Sequence, residues 1–294
     1  MSEPVGLRLH EDTVLFREAV NFTAAKSGFS TRLVEKDYFC TVLLAYFAGN
    51  AGANLIFKGG TCLAKVHADF YRLSEDLDFT ISVPADVGRF ERRRAVAPLK
   101  STIAAVAQYL PVFTLDRPLR GANNSTQYNG SYTYLSPTTG LRETLLIEVS
   151  VREPLLLPVA RAPAGTLLLH PISEEPAVDA ILINCISPYE AIAEKFRAAL
   201  TRKDIAIRDF YDIDYAVQRL GVDPLEVPLI DLIRRKLAVP GNPPLNVDPA
   251  RLALLEHQLD ARLKVVLRTK DFQAFDLQRS VAIVKRMAER LQFS

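Results

Sequence analysis

The sequence predicts an α+β fold: a mixed-sheet core between about residues 50 and 175, with a helical flank before it and a helical lobe after it. Three observations carry this. The first fifty residues show helical periodicity with polar breaks. Residues 112–169 hold short strand-like runs separated by turns rich in Gly, Asn, Pro and Thr. After Pro188 helical periodicity returns and continues almost to the end. The expected organisation is one structural unit with two lobes. Residues 1–175 carry the core and the N-terminal helices, and residues 176–294 the helical C-terminal lobe.

Taken in order, residues 11–27 and 31–47 read as helices. Ser30 or Thr31 can cap the second, and Glu35 in its first turn favours the helix dipole. Residues 54–58 then form a short apolar strand that ends at Gly59-Gly60. Residues 61–70 can be helical, and residues 76–82 alternate like a strand. A basic helix is expected over 87–109. Strands follow at 112–115, 131–135, 144–151 and 166–169, then helices at 189–201, 205–220, 224–238, 249–267 and 272–292. The prolines of residues 239–244 impose a firm break between two of these helices.

Composition excludes several classes of protein. Of 294 residues, 49% are apolar and 24% charged, which supports a packed core and argues against disorder. Thirty-six Lys and Arg against 34 Asp and Glu give a formal charge of +2, so only a local basic face could serve a polyanionic partner. The first residues contain no basic or apolar leader pattern, which predicts no secretory signal. Residues 38–57 lack charge over a span long enough to cross a bilayer, but Gly49, Asn50, Gly52 and Asn54 break the run into a helix end and a strand. The expectation is a cytoplasmic protein without a membrane segment. Cys40, Cys62 and Cys185 are odd in number and far apart. They read as buried free thiols in a reducing compartment rather than a disulfide frame or a zinc site. His10, His67, His170 and His257 show no ligand spacing, which supports neither a zinc site nor a histidine-dependent triad.

The chemistry concentrates in Lys58-Gly59-Gly60-Thr61 and in Arg72-Leu73-Ser74-Glu75-Asp76-Leu77-Asp78. Adjacent glycines between a strand and a helix let the backbone approach a ligand, and free N–H groups at a helix start attract an anion. On a strand, Asp76 and Asp78 project on one face about 6.6 Å apart, with Leu77 and Phe79 facing the core. Two carboxylates on one face repel each other, a cost that a divalent cation would remove. Magnesium bridging such a pair can orient a triphosphate. Glu148 stands in the otherwise apolar run of residues 145–151. It reads either as a metal-facing acid or base, or as an edge-strand carboxylate in water.

Together with Glu35-Lys36-Asp37, residues 188–195 and Arg208-Asp209-Phe210-Tyr211-Asp212, these motifs resemble, in their order, the AbiEii/AbiGii toxin family. These are nucleotidyltransferases of the DNA polymerase β superfamily found in type IV toxin–antitoxin and phage-abortive systems, the mycobacterial MenT-type toxins among them. The resemblance spans about residues 30–215. It implies a nucleotidyltransferase-type core and magnesium-dependent transfer of a nucleoside monophosphate from an NTP to an acceptor, with release of pyrophosphate. The implied acceptor is a tRNA 3′ end, and the implied partner a separately encoded antitoxin.

The resemblance also implies roles. Gly59, Gly60 and Thr61 would hold the nucleotide phosphates, with Lys58 and Ser74 beside them. Asp76 and Asp78 would bind metal, and Glu148 would be the third acid. Lys195 would lie near the triphosphate, and Arg208, Asp209 and Asp212 complete the helical motif. Asp209 and Asp212 are neighbours on one helix face, so an antiparallel helix could bring Lys195 to Asp212; the alternative is a surface salt bridge without function. Arg89, Arg93 and Lys100 could form a face for RNA phosphates, within a charge run that otherwise reads as solvated. Tyr128, Tyr132 and Tyr134 suit packing as well as base stacking. Two rival readings stay open: transfer to a protein or small molecule, and a nucleotide-binding regulatory protein without turnover.

Overall fold

A computed structural model describes residues 6–292 of the chain, so residues 1–5, on which the leader expectation rests, lie outside the described residues. The chain divides into two compact units, Met1–Ile186 and Ser187–Ser294. The first is an α+β unit built, among the described residues, on a mixed seven-stranded sheet of order β3 (Thr114–Ala122), β4 (Gln127–Leu135), β5 (Arg142–Ser150), β2 (Asp76–Ile81), β1 (Leu55–Lys58), β7 (Ile181–Cys185), β6 (Ala160–Ala164).

Its chain enters through α1 (Thr13–Ser27), capped by Asp12, whose side chain accepts from the Val14 and Leu15 N–H groups. It continues through α2 (Thr31–Asn50), where Ser30 caps as expected by accepting from Leu33 N. α2 is buried almost along its length, including the charged Glu35, Lys36 and Asp37. Buried charges need partners, and each has one. Glu35 accepts from Thr138 N at 3.2 Å. Lys36 meets Glu75 at 3.2 Å, and Asp37 meets Lys65 at 2.7 Å. Around them Phe39 packs on Tyr134, ring centroids 4.0 Å apart, and edge-on to Phe113. Tyr128, Tyr132 and Tyr134 are all buried, which makes them packing residues rather than base-stacking platforms.

β1 (Leu55–Lys58) leads into the single turn α3 (Gly59–Cys62) and a π-helical turn, Leu63–His67. The helical segment stops short of its expected end because Asp69 and Phe70 adopt φ +42° and +51°. β2 (Asp76–Ile81) pairs antiparallel with β1 and parallel with β5 (Arg142–Ser150). Between them in sequence lie α4 (Arg89–Tyr109), β3 (Thr114–Ala122) and β4 (Gln127–Leu135).

Two strands escape the sequence pattern: β6 (Ala160–Ala164) and β7 (Ile181–Cys185). Residues 166–169, expected as a strand, do not join the sheet. Their N–H groups go instead to side chains, Leu167 to Asp37 and Leu169 to Thr23.

The second unit is helical: α5 (Pro188–Thr201), α6 (Ile207–Arg219), α7 (Val227–Leu237), α8 (Pro249–Ala253), α9 (Thr269–Ala274) and α10 (Leu277–Gln292). The single helix expected over 249–267 is broken after Ala253 into short 3-10 and π turns. Lys236 is fully buried between Glu190 at 2.6 Å and Glu194 at 3.2 Å, which joins α5 to α7. The Arg279 guanidinium forks onto Asp214, 2.7 Å at both oxygens, and joins α10 to α6. No helix among the described residues is long and apolar enough to cross a membrane.

Candidate active site

In the sheet unit, β1, β2 and β5 bring the expected residues together. Asp76 and Asp78 are half-buried while Leu77 and Phe79 face the core. The ladder aligns Asp78 with Glu148 on one side and with Lys58 on the other. Directly paired residues on neighbouring strands share a face and stand about 4.8 Å apart. Asp76, Asp78 and Glu148 therefore line one face of the sheet. β5 lies between β4 and β2, so Glu148 is on an interior strand and not on an edge.

The glycine turn is fitted to these acids. Gly59 has φ +74°, and a Cβ there would fall inside the Asp78 carboxylate. Only glycine permits both the backbone conformation and this approach. A Cβ on Gly60 would collide with the guanidinium of Arg72. Thr61 Oγ1 donates to the backbone carbonyl of Asp76, tying α3 to β2. Ser74 is half-buried two residues before Asp76.

Other residues support the site without a role that the sequence assigns. Arg72 is buried, donates to the Leu73 carbonyl at 3.2 Å, and lies over the Tyr71 ring at 5.6 Å. The signal for it is an arginine set between Tyr71 and Leu73. The turn before Asp76 is held by Glu75, which meets both Arg32 at 2.7 Å and Lys36 at 3.2 Å. Arg32 also forks onto Glu143 at 2.9 and 3.0 Å. Burial alone would raise the Glu75 carboxyl, but Lys36 and Arg32 outweigh it and hold the group below its ordinary value.

Three acids on one face, pressed against a glycine turn, form a hard oxygen donor set of the type magnesium takes.

In the helical unit, Lys195 on α5 reaches Asp209 and Asp212 on α6, each at 2.9 Å. Both aspartates are buried, so the contact is not the surface salt bridge considered as the alternative. Arg202, which no sequence motif marks, adds a 3.1 Å contact to Asp209. Arg208 is half-buried beside it in sequence.

On α4 in the sheet unit, Arg89, Arg93 and Lys100 are exposed. Arg92 is not part of that face: it is buried and donates to the Ala85 carbonyl at 3.1 Å.

The three cysteines are buried thiols, as the sequence suggests. Two of them are nonetheless brought by the fold to a histidine. Cys62, His67 and Cys185 offer ligand atoms that all lie within 4.8 Å of one another. Sequence spacing could not reveal this, because Cys185 arrives on β7, a strand the pattern does not show.

Residues 42–281 match the family described as Nucleotidyl transferase AbiEii toxin, Type IV TA system. The chain belongs to this family of nucleotidyltransferase toxins. It is accordingly an enzyme of the nucleotidyltransferase class, EC 2.7.7 type, with an NTP as substrate and an antitoxin as partner. No curated protein matches it. Similar solved structures include JHP933 from Helicobacter pylori, 15% identical with a TM-score of 0.49, covering 90% of this chain and 93% of that one. Another is MenT4, a nucleotidyltransferase toxin from Mycobacterium tuberculosis H37Rv, 17% identical with a TM-score of 0.36, covering 88% and 94%.

Proposed function

We propose that this toxin transfers a nucleoside monophosphate from an NTP to the 3′ end of a tRNA, releases pyrophosphate, and does so in the cytoplasm with magnesium as cofactor. The observation that carries the reading is the alignment of Asp76, Asp78 and Glu148 on one sheet face beside the Gly59-Gly60-Thr61 turn. Asp76 and Asp78 are the residues that would hold the metal. When bound, Mg²⁺ would supply Lewis-acid polarisation of the phosphate oxygens and charge neutralisation.

The chain's own residues do the rest. Gly59 and Gly60 leave room for the phosphates to approach the backbone, and Thr61 fixes that turn to β2 through the Asp76 carbonyl. Glu148, aligned with Asp78, accepts the proton of the acceptor hydroxyl. The hydroxyl oxygen forms a bond to the α-phosphorus as the bond to the bridging oxygen of the β-phosphate breaks. Pyrophosphate carries away the electron pair. Blocking a tRNA end in this way would prevent aminoacylation and arrest growth, consistent with a toxin held in check by an antitoxin.

The test is incubation of the protein with each α-labelled NTP, bulk tRNA and magnesium. The expected result is label in tRNA that disappears in Glu148→Gln and on chelation. Label in protein or a small molecule instead would overturn the tRNA acceptor. Nucleotide binding without transfer to anything would overturn the catalytic reading.

A further inference from the structure

We propose that Cys62, His67 and Cys185 form a zinc site that ties the turn carrying residues 59–61 to the end of β7. The cluster is assembled by three separate elements. Cys62 closes α3, one residue after Thr61. His67 ends the π-helical turn that follows. Cys185 ends β7 and pairs directly with Phe57 of β1. A metal here would clamp the glycine turn from behind, through side chains that the acidic face does not use.

The donor set and its dimensions favour zinc. Two thiolates and one imidazole are the soft and borderline ligands that zinc takes, whereas magnesium takes oxygen. Tetrahedral zinc with bonds of about 2.3 Å to sulfur and about 2.0–2.1 Å to nitrogen sets its ligand atoms roughly 3.6–3.8 Å apart. The three atoms already lie within 4.8 Å of one another, so a contraction of about an ångström at most would close them round an ion. Charge also balances, because two thiolates and neutral histidine cancel the dication.

The surroundings are prepared for it. His67 Nε2 hydrogen-bonds the Ile186 carbonyl at 3.0 Å. A carbonyl can only accept, so Nε2 carries the proton and Nδ1 keeps its lone pair. This outer contact to a backbone carbonyl is the one that orients a ligating imidazole. Cys62 and Cys185 are fully buried and His67 is half-buried, and a water would serve as fourth ligand. Three protein ligands with one open position is an established zinc arrangement.

The experiment uses the full chain, stripped with a chelator under reducing conditions and titrated with Co²⁺, then with Zn²⁺. We expect one cobalt per chain with tetrahedral d–d bands and thiolate-to-cobalt charge transfer, displaced by zinc. Cys185→Ser should abolish that absorption and Cys40→Ser should keep it. His67→Ala should weaken binding by at least the ~10–100-fold that removing even an outer partner costs. Should the serine variants fail to fold, the wild type still decides: zinc, and not magnesium, should slow alkylation of Cys62 and Cys185 while leaving Cys40 unchanged. Absence of thiolate absorption in the wild type would overturn the site. So would absorption that survives Cys185→Ser, or equal protection by magnesium. These readouts need no transfer activity, so they stand or fall separately from the acceptor.

Discussion

At the residue scale, the acids of β2 are the sharpest point of the chain. Asp76 and Asp78 share a face with Glu148, and like charges so placed repel, a cost that a divalent cation would lower. Asp76→Asn or Asp78→Asn should therefore abolish nucleotide transfer while leaving the fold intact. Without magnesium, thermal stability should be unchanged or slightly raised, because repulsion is relieved; substantial activity in both single variants would refute the two-acid site. Glu75, one residue earlier, behaves in the opposite sense. Its carboxyl is held below the ordinary value because Lys36 and Arg32 overcome the effect of burial. A carboxyl depressed on folding contributes stability that is complete above its unfolded-state pKa and is lost as pH falls through the folded one. Urea denaturation at a series of acidic pH values should show wild-type stability falling over that window, and a shallower fall in Glu75→Gln. Parallel curves would remove the Arg32–Glu75–Lys36 cluster as a source of acid sensitivity. The two aspartates are legible in the sequence because alternation alone puts them on one face. The roles of Arg72 and Glu75 are not, because their neighbours come from Gly60 and from α2, far away along the chain.

At the scale of elements, periodicity locates the long helices and the strands β1, β2 and β5 well. It fails where another force outweighs local pattern. β6 reads Ala-Arg-Ala-Pro-Ala, a poor strand sequence, and is admitted because it lies at the sheet edge, where a proline removes no needed ladder bond. β7 is missed because a five-residue run carries no period of its own. The α5–α6 pair shows the reverse case, where helix spacing foretells a contact that forms. Lys195 holds two buried aspartates that would otherwise face each other. Lys195→Ala should lower thermal stability, because it removes a cation shared by two buried aspartates, although Arg202 still meets Asp209. We also propose the family role for Lys195 toward the triphosphate. Assayed at a temperature where the variant stays folded, Lys195→Ala should then lower turnover by at least about 100-fold. Lys195→Arg should recover only part, since a planar fork cannot replace a compact ammonium. Unchanged turnover with lowered stability would confine Lys195 to holding the helices together.

At the scale of the whole molecule, net charge decides how an RNA could be held. A formal charge of +2 gives no long-range attraction, so a tRNA acceptor requires a local basic face. α4 offers one in the sheet unit. Arg89, Arg93 and Lys100 are exposed, and the Lys100 ammonium lies 5.3 Å from the centroid of the Tyr128 ring. Arg92, in the same charge run, is spent on the Ala85 carbonyl and would not contribute. Sequence alone could not separate these arginines, since only the packing of α4 decides which of them turn inward. Removing one phosphate-binding cation should flatten the salt dependence of RNA binding by a slope of roughly 0.7 to 0.9. Changing Arg89 and Arg93 together to Ala should thus raise the apparent KM for tRNA, spare that for NTP, and weaken growth inhibition on expression. Arg92→Ala should instead lower thermal stability, because it removes a buried side chain and its hydrogen bond to the Ala85 carbonyl. Steady-state kinetics with each substrate varied in turn, at two salt concentrations, separates the two effects. If the double variant keeps both its tRNA constant and its salt slope, the acceptor is held by another surface and α4 is only a solvated helix.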